Sequence, residues 1–444
     1  WTLMKDLSGE HTLSGAVYLY DIDQEAALAN QDLGNRLMDC HNKNQWRFKA
    51  EPNLEKALRG SDFVIISILP NDFTEMEVDV HAPEQYGIYQ SVGDTAGPGG
   101  IVRALRTIPI YQGFARAIGQ WAPDAWVLNY TNPMTLCTRT LYQEYPSIKA
   151  FGCCHEVFGT QKLLREMLIS LGKVAGDAIT RDQIKTNVMG INHFTWIDQA
   201  TWGTEDLLPL YRDFCEKHAE TGFPVQCEPN HPFSYFESKE RVKMDLFLRY
   251  GLIAAAGDRH LAEFCPPLWY LDTPDLANSW GFSLTPVAYR IAQRERLKNL
   301  SAAYRNGSET MVPEASGEEG IRIFKALMGM GDLVTNVNLP NQGQMPDLPF
   351  RAVVETNALF GRDSVRPVLT KGLPAAIRAL TMIHVQIQEG LLEAALARDL
   401  DKAFAVFLND PQIARINRAQ AAQLFKTMTD KTLPAGSGYM PFTP

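Results

Sequence analysis

Asp62-Phe63-Val64-Ile65-Ile66-Ser67-Ile68-Leu69 is an apolar run broken only by one serine. A run of this kind is expected where a strand is buried on both faces of a parallel sheet. Working upstream, Ala16-Val17-Tyr18-Leu19-Tyr20-Asp21-Ile22-Asp23 reads as a strand that ends in acids and leads into a helical pattern through Met38. Working downstream, strands are expected at Ala125 to Tyr130 and at Ser147 to Gly152, with helical stretches at Ile101 to Trp121 and Pro133 to Tyr145. This alternation predicts an α/β fold with a Rossmann-like, doubly wound parallel sheet. Ligands of such sheets lie at the carboxyl ends of the strands, where Ser67, Asn129, Asn132 and Cys154 all fall. Asp21 has the position of an acid that accepts hydrogen bonds from a dinucleotide ribose. The same spacing equally suits Asp21 and Asp23 as caps of the following helix.

The alternation stops after residue 180. Lys185 to Trp202 reads as a hairpin, and Glu205 to Thr221, Ser238 to Tyr250 and Pro286 to Tyr304 read as helices. Asp332 to Asn338 and Phe350 to Ala358 are extended again, and Gly372 to Leu408 and Pro411 to Met428 carry apolar helical faces. The expectation is a first domain at residues 1–175 and an α+β domain at 176–444 that closes over the sheet edge.

The bounds are those of a soluble globular chain: 444 residues, 45% apolar and 21% charged. A net charge of -9 offers no basic field for a polyanion, so nucleic acid is not an expected partner. No run of about 18 apolar residues is present, so no membrane partner is expected, and a cytoplasmic location is the default. Seven scattered cysteines favour reduced thiols over a disulfide framework.

Three stretches carry chemistry. Gly152-Cys153-Cys154-His155-Glu156-Val157-Phe158-Gly159 and Gly190-Ile191-Asn192-His193-Phe194 bring thiols, imidazoles and a carboxylate to two short segments. Gly93-Asp94-Thr95-Ala96-Gly97-Pro98-Gly99-Gly100 is a loop before a helix whose amides could face an anionic or hydroxylated ligand. It lacks the lysine of a triphosphate loop, and Asp94 could equally be a local cap.

These motifs, with Leu19-Tyr20-Asp21, Asn129-Tyr130-Thr131-Asn132-Pro133, Asn338-Leu339-Pro340-Asn341, Gly343 and Val353-Val354-Glu355, resemble family four of the glycoside hydrolases over nearly the whole chain. Members are NAD- and metal-dependent glycosidases and an exception to the two-carboxylate rule. The resemblance implies a lactate/malate dehydrogenase-like architecture with NAD bound by the first domain and a second domain for substrate and oligomerisation. It implies a route in which NAD+ oxidises the sugar C3 hydroxyl, the acidified C2 proton leaves, the C1 aglycone is eliminated, water adds and hydride returns. Members begin with a Gly-rich phosphate loop, and the sequence given starts just after the place expected for it. The expectation is that the chain is truncated there or binds its cofactor less well.

By the resemblance, Cys154 and His193 are the Mn2+ ligands, leaving Cys153 to the core. Asp94 is the general acid, with a pKa raised by burial. Asp21, Ser67 and Asn129 face the cofactor. Asn132 contacts sugar hydroxyls, although an asparagine before Pro133 could be only a helix cap. The base is Asp258 or Tyr250, since Phe247 stands where phospho-sugar members carry a tyrosine. Cys-His-Glu-Val marks the subgroup acting on uronic acids, with Glu156 as the marker. Arg103, Arg259 and His260 are the cations suited to a substrate carboxylate. The expected enzyme is an α-galacturonidase acting on small uronic-acid glycosides, as a homodimer or homotetramer. The near rival is an α-glucuronidase, and the rival of another class is an NAD-dependent hydroxy-acid dehydrogenase.

Overall fold

Gly15–Leu19 (β1) and Trp46–Ala50 (β2) pair in parallel in the computed structural model, which describes residues 1–41, 45–223, 235–312 and 316–443. β2 escaped the sequence reading because Arg47 and Lys49 break its apolar run, leaving Phe48 as its one buried side chain. The helix Gln24–His41 joins the pair, and the Asp23 carboxylate caps it by accepting from the Ala26 amide at 3.0 Å.

The main sheet holds Phe63–Ile66 (β3), Trp126–Asn129 (β4) and Lys149–Gly152 (β5) in parallel register. Val127 and Ala150 face one layer with Tyr111 and Ile118 of the helix Gly97–Trp121; Leu128 and Phe151 face the other with Phe360. That alternation is the two-residue period of strands covered on both faces. β3 departs from expectation: among the described strands it pairs only with β4, and Ile65 is exposed. An edge strand leaves apolar side chains uncovered that a central strand would bury.

The second half of the chain begins with an antiparallel hairpin, Ile184–Ile191 (β6) and Phe194–Trp202 (β7), bordered by Glu205–Asp206 (β8) and Ile253–Ala254 (β9). It then returns to the main sheet. Leu333–Pro340 (β10) pairs antiparallel with β5, Val353–Gly361 (β11) with β10, and Ser364–Pro367 (β12) with β11. The six strands run β12-β11-β10-β5-β4-β3. The fold is therefore Rossmann-like α/β as expected, with a mixed sheet in which half of the strands come from the C-terminal part of the sequence.

The hairpin turn is only two residues, Asn192-His193, and His193 adopts φ 64°. Asn192 does not share that left-handed backbone, so the turn has positive φ only at its second residue, a region uncommon for side chains other than glycine but one that histidine enters more readily than most. Gly190 supports the turn, since a Cβ there would sit 2.6 Å from the Phe194 carbonyl oxygen.

Candidate active site

Three segments distant in sequence meet: the loop before the helix Gly97–Trp121, the hairpin turn and the helix Asp258–Phe264. Asp94, His193 and His260 present ligand atoms all within 4.8 Å of one another. The His193 and His260 rings lie 3.7 Å apart at 33°. Thr95 donates its one proton to Asp94 Oδ1 at 2.7 Å, so at 3.1 Å from His193 Nδ1 its oxygen accepts from that ring. The lone pair of His193 is then on Nε2, the form in which imidazole binds a metal. Burial, reinforced by His260, pushes His193 down to about 3, so the ring is neutral. His260 is lowered by burial as well, and its buried Nδ1 has no hydrogen-bond partner.

Asp94 reverses one expectation. Burial works to raise its carboxyl, but the Arg103 guanidinium, then His260 and His193, hold it well below the usual carboxylate range. In the free protein it is an ionised carboxylate rather than a loaded acid. Asn132 donates from Nδ2 to Asp94 Oδ2 at 3.4 Å, and Arg103 Nε donates to the Asn132 carbonyl oxygen at 3.1 Å. Arg103 and Asn132 thus meet Asp94 as one group, with the Asn132 Oδ1 buried and unpartnered.

Cys154 lies outside the trio. Its thiol is raised by burial and by Glu355 and Glu156, and it meets the side chain of Asn192, the neighbour of His193. Cys153 turns away into the Leu128–Phe151 layer. Glu156, for which sequence offered no physical role, opens the helix Glu156–Ser170 and accepts from the Gly257 amide at 2.6 Å. Its other oxygen lies 3.8 Å from His260 Nε2. Burial opposes its charge, yet His260, His193 and His155 hold it at about 2. Beside it a cavity of about 320 Å³ opens, lined by His155, Glu156, Lys162, Glu240, Lys243 and Glu318 among others.

Asp258 is fully buried, accepts from the Lys243 amide at 3.1 Å and leaves Oδ2 without a partner. Burial and the Glu240 carboxylate raise it, against Lys243. Tyr250 is elsewhere: its ring is edge-on to Trp196 at 6.0 Å, at the far end of the helix Arg241–Tyr250, where Arg249, Asp245 and Cys265 are its charged and polar neighbours. Packing has claimed it, as it has Phe247, which sits against Tyr211.

Other expected residues are also reassigned. Asn129 is inaccessible: its Oδ1 accepts from the Tyr111 hydroxyl at 2.6 Å and the Thr131 amide at 3.0 Å, and its Nδ2 donates to the Thr131 carbonyl oxygen. Arg259 donates from Nε to the Ser283 carbonyl oxygen at 3.2 Å and from Nη2 to the Ser91 carbonyl oxygen and the Thr285 hydroxyl. Several amides in and beside the glycine-rich loop are taken by the protein's own side chains. Glu263 Oε1 accepts from Val92 at 2.7 Å and Gly93 at 2.9 Å, Gln90 accepts from Gly99, and Asp410 takes Gly97. The glycines are there for close packing: a Cβ on Gly99 would sit 2.7 Å from the Gly93 carbonyl oxygen. Asp21 and Ser67 remain exposed at the ends of β1 and β3, and Asp21 Oδ1 accepts from the Asp23 amide at 2.9 Å. Of the cysteines, Cys227 lies outside the described residues.

Glu263 was not anticipated, since nothing local in the sequence separates it from a surface glutamate. Burial pushes it up to about 8, so it is protonated over most of the pH range in which an unfolded glutamate is ionised. Raised in the folded state, it contributes stability below about pH 4 that is lost as pH rises toward 8. Glu263→Gln keeps the acceptor for Val92 and Gly93, so denaturant unfolding of the variant should decline less between pH 5 and about 8, by on the order of a few kcal/mol. Parallel pH profiles would exclude Glu263 as the source.

A model described as family 4 glycosyl hydrolase matches residues 1–170, and one described as the family 4 glycosyl hydrolase C-terminal domain matches residues 188–413. An α-galacturonidase of Thermoanaerobacterium saccharolyticum is 54% identical over 433 residues, covering 97% of this chain and 92% of that protein. A solved structure described as a putative glucosidase from Bacillus subtilis has a TM-score of 0.90 at 49% identity, covering 96% of each chain. A 6-phospho-α-glucosidase from gut microorganisms, solved in complex with NAD and Mn2+, has a TM-score of 0.80 at 18% identity, covering 97% of this chain and 94% of that one, a likeness of fold.

Proposed function

Because the chain belongs to family 4 of the glycosyl hydrolases, we propose that it cleaves α-linked galacturonides with NAD+ and Mn2+ as cofactors. The observation that carries the substrate is the near-full-length match to a relative named as an α-galacturonidase.

The site fits a divalent cation: two neutral imidazoles converge beside an ionised carboxylate, and one imidazole has its lone pair freed by Thr95. Cys154 and His193 would hold the metal, with His260 as the further donor placed against His193 and Asp94 left free to face the leaving oxygen. A dinucleotide fits the end of β1, where Asp21 has a carboxylate oxygen to spare and Ile22 is 93% exposed as an apolar surface for a base. Asp21 and Ser67 would hold it. When bound, NAD+ supplies hydride removal and return at the sugar C3, and Mn2+ supplies a Lewis acid at the C2 and C3 oxygens.

The chain's own residues do the rest. Asp258, buried and with one free oxygen, takes the C2 proton. Asp94 stands at the leaving oxygen; ionised in the free enzyme, it gains its proton as the sugar excludes water and disfavours its charge. Asn132 and Arg103 orient the hydroxyls, and Glu156 holds the His260 segment in place. Cytoplasmic residence, a homodimer or homotetramer, and a division at residues 1–175 and 176–444 belong to the same reading. Among the described residues no helix is long and apolar enough to cross a membrane.

The test compares nitrophenyl α-galacturonide with the matching glucuronide, NAD+ and Mn2+ being supplied. A misplaced hydroxyl in a formed pocket costs about 1–3 kcal/mol, so a preference for the galacturonide of about 10–100-fold is expected, with no net NADH. Faster glucuronide cleavage would move the substrate to the other sugar. NADH accumulating with turnover would make the protein a dehydrogenase.

A further inference from the structure

Glu355 lies on β11, opposite Asn338 on β10, and is 1% exposed. It is the only carboxylate among the described residues whose two oxygens are each taken by a buried asparagine: Asn336 Nδ2 donates to Oε1 at 2.7 Å, and Asn192 Nδ2 donates to Oε2 at 3.3 Å. Both asparagines also reach Cys154. Asn336 Nδ2 lies 3.3 Å from the Cys154 carbonyl oxygen, and the Asn192 side chain meets the thiol. Hydrogen bonds thus run from the Cys154 carbonyl through Asn336 and Glu355 to Asn192, whose side chain lies beside the Cys154 thiol. Asn192 is also half of the two-residue turn that carries His193 in left-handed backbone.

These contacts span two sheets. Cys154 follows β5 and Glu355 sits on β11, both in the main sheet, whereas Asn192-His193 is the tip of the β6–β7 hairpin, which belongs to the other. Among the hydrogen bonds described, the one from Asn192 to Glu355 is the direct tie between that tip and β11. The proposed chemistry leaves Glu355 without a part to play. Among the described residues no ion pair reaches it, and burying its carboxyl is costly.

We propose that Glu355 is a positioning residue for the metal pair, fixing through Asn336 and Asn192 where the Cys154 thiol stands relative to the His193 ring. This rests on the reading of Cys154 and His193 as ligands. Groups that orient metal ligands typically contribute about 10–100-fold in metal affinity.

The experiment titrates purified protein with Co2+ alone, because a cobalt–thiolate absorption band reports the cysteine in the coordination sphere whether or not the enzyme turns over. Wild type should show the band and Cys154→Ser should not; absence in wild type would sink the ligand assignment itself, and the proposal with it. With Glu355→Ala the band should be lost or its Co2+ affinity fall at least 10-fold. Glu355→Gln should retain the band with a loss of only about 3-fold, because a glutamine amide can still accept from Asn336 and donate to the unpartnered Oδ1 of a flipped Asn192. A merely structural role would lower the thermal midpoint of both variants without changing the titration. If Glu355→Ala does not fold, Glu355→Gln decides alone. A Glu355→Ala titration indistinguishable from wild type would overturn the proposal, as would an indistinguishable Glu355→Gln titration where Glu355→Ala does not fold.

Discussion

Replacing His193 by alanine lowers kcat by about 1,000-fold or more while the protein stays folded. A Lewis acid contributes several kcal/mol to a reaction that acidifies a carbon next to a carbonyl, and each 1.4 kcal/mol is about tenfold. His193 belongs to the trio with Asp94 and His260 and also to the proposed pair with Cys154, so no neighbour replaces it. Alanine enters φ 64° less readily than histidine, a several-fold factor worth about 1 kcal/mol, which is small enough to leave the hairpin turn in place. The check is steady-state kinetics across an Mn2+ titration with circular dichroism in parallel. Activity within tenfold of wild type at saturating Mn2+ would remove His193 from the metal site.

The second large effect is at Asp258. Asn at this position retains an oxygen to accept from the Lys243 amide, so the start of the helix Arg241–Tyr250 stays capped and only the basic oxygen is lost. Loss of a positioned base costs about 100- to 10,000-fold. Exchange of the substrate C2 proton with solvent deuterium should disappear with turnover in Asp258→Asn, whereas in Asp94→Asn exchange should outlast cleavage. Tyr250→Phe should stay within about twofold of wild type, because the ring packs on Trp196. Exchange that persists in Asp258→Asn would move the base elsewhere. The pH profile has a fixed sign. Burial and Glu240 raise Asp258, and a base must be ionised, so the rate should fall on the acid side at a pH above the ordinary carboxylate range.

The strands were legible where the local pattern is strong. Val127, Leu128, Ala150 and Phe151 alternate between two covered faces, and the sequence reads that way. The role of Asn129 was not legible, because its partner Tyr111 lies on a helix 18 residues earlier and no spacing rule reports a side chain turned inward. His260 was assigned to a substrate carboxylate on charge alone. Its packing on His193 depends on the hairpin tip meeting the helix Asp258–Phe264, a contact between segments distant in sequence that periodicity does not encode. Asp94 shows the same gap in electrostatics. Burial was foreseen and its effect reversed, because Arg103 nine residues on turns inward along the helix Gly97–Trp121. Glu263 looks like any glutamate until its surroundings are known, and Glu355, although part of a motif, shows no role until then.

The pairing of β10 with β5 has a consequence for motion. Enzymes assembled from two lobes commonly close like a jaw about a linker, and the chemistry is completed by that closure. Here β10 joins β5 at Asn338 and Gly152, which makes β3 to β12 one sheet, so swinging the C-terminal strands away from β3, β4 and β5 would break that pairing. Gating therefore falls to loops: substrate reaches a rigid floor, and whatever opens and shuts above it is small.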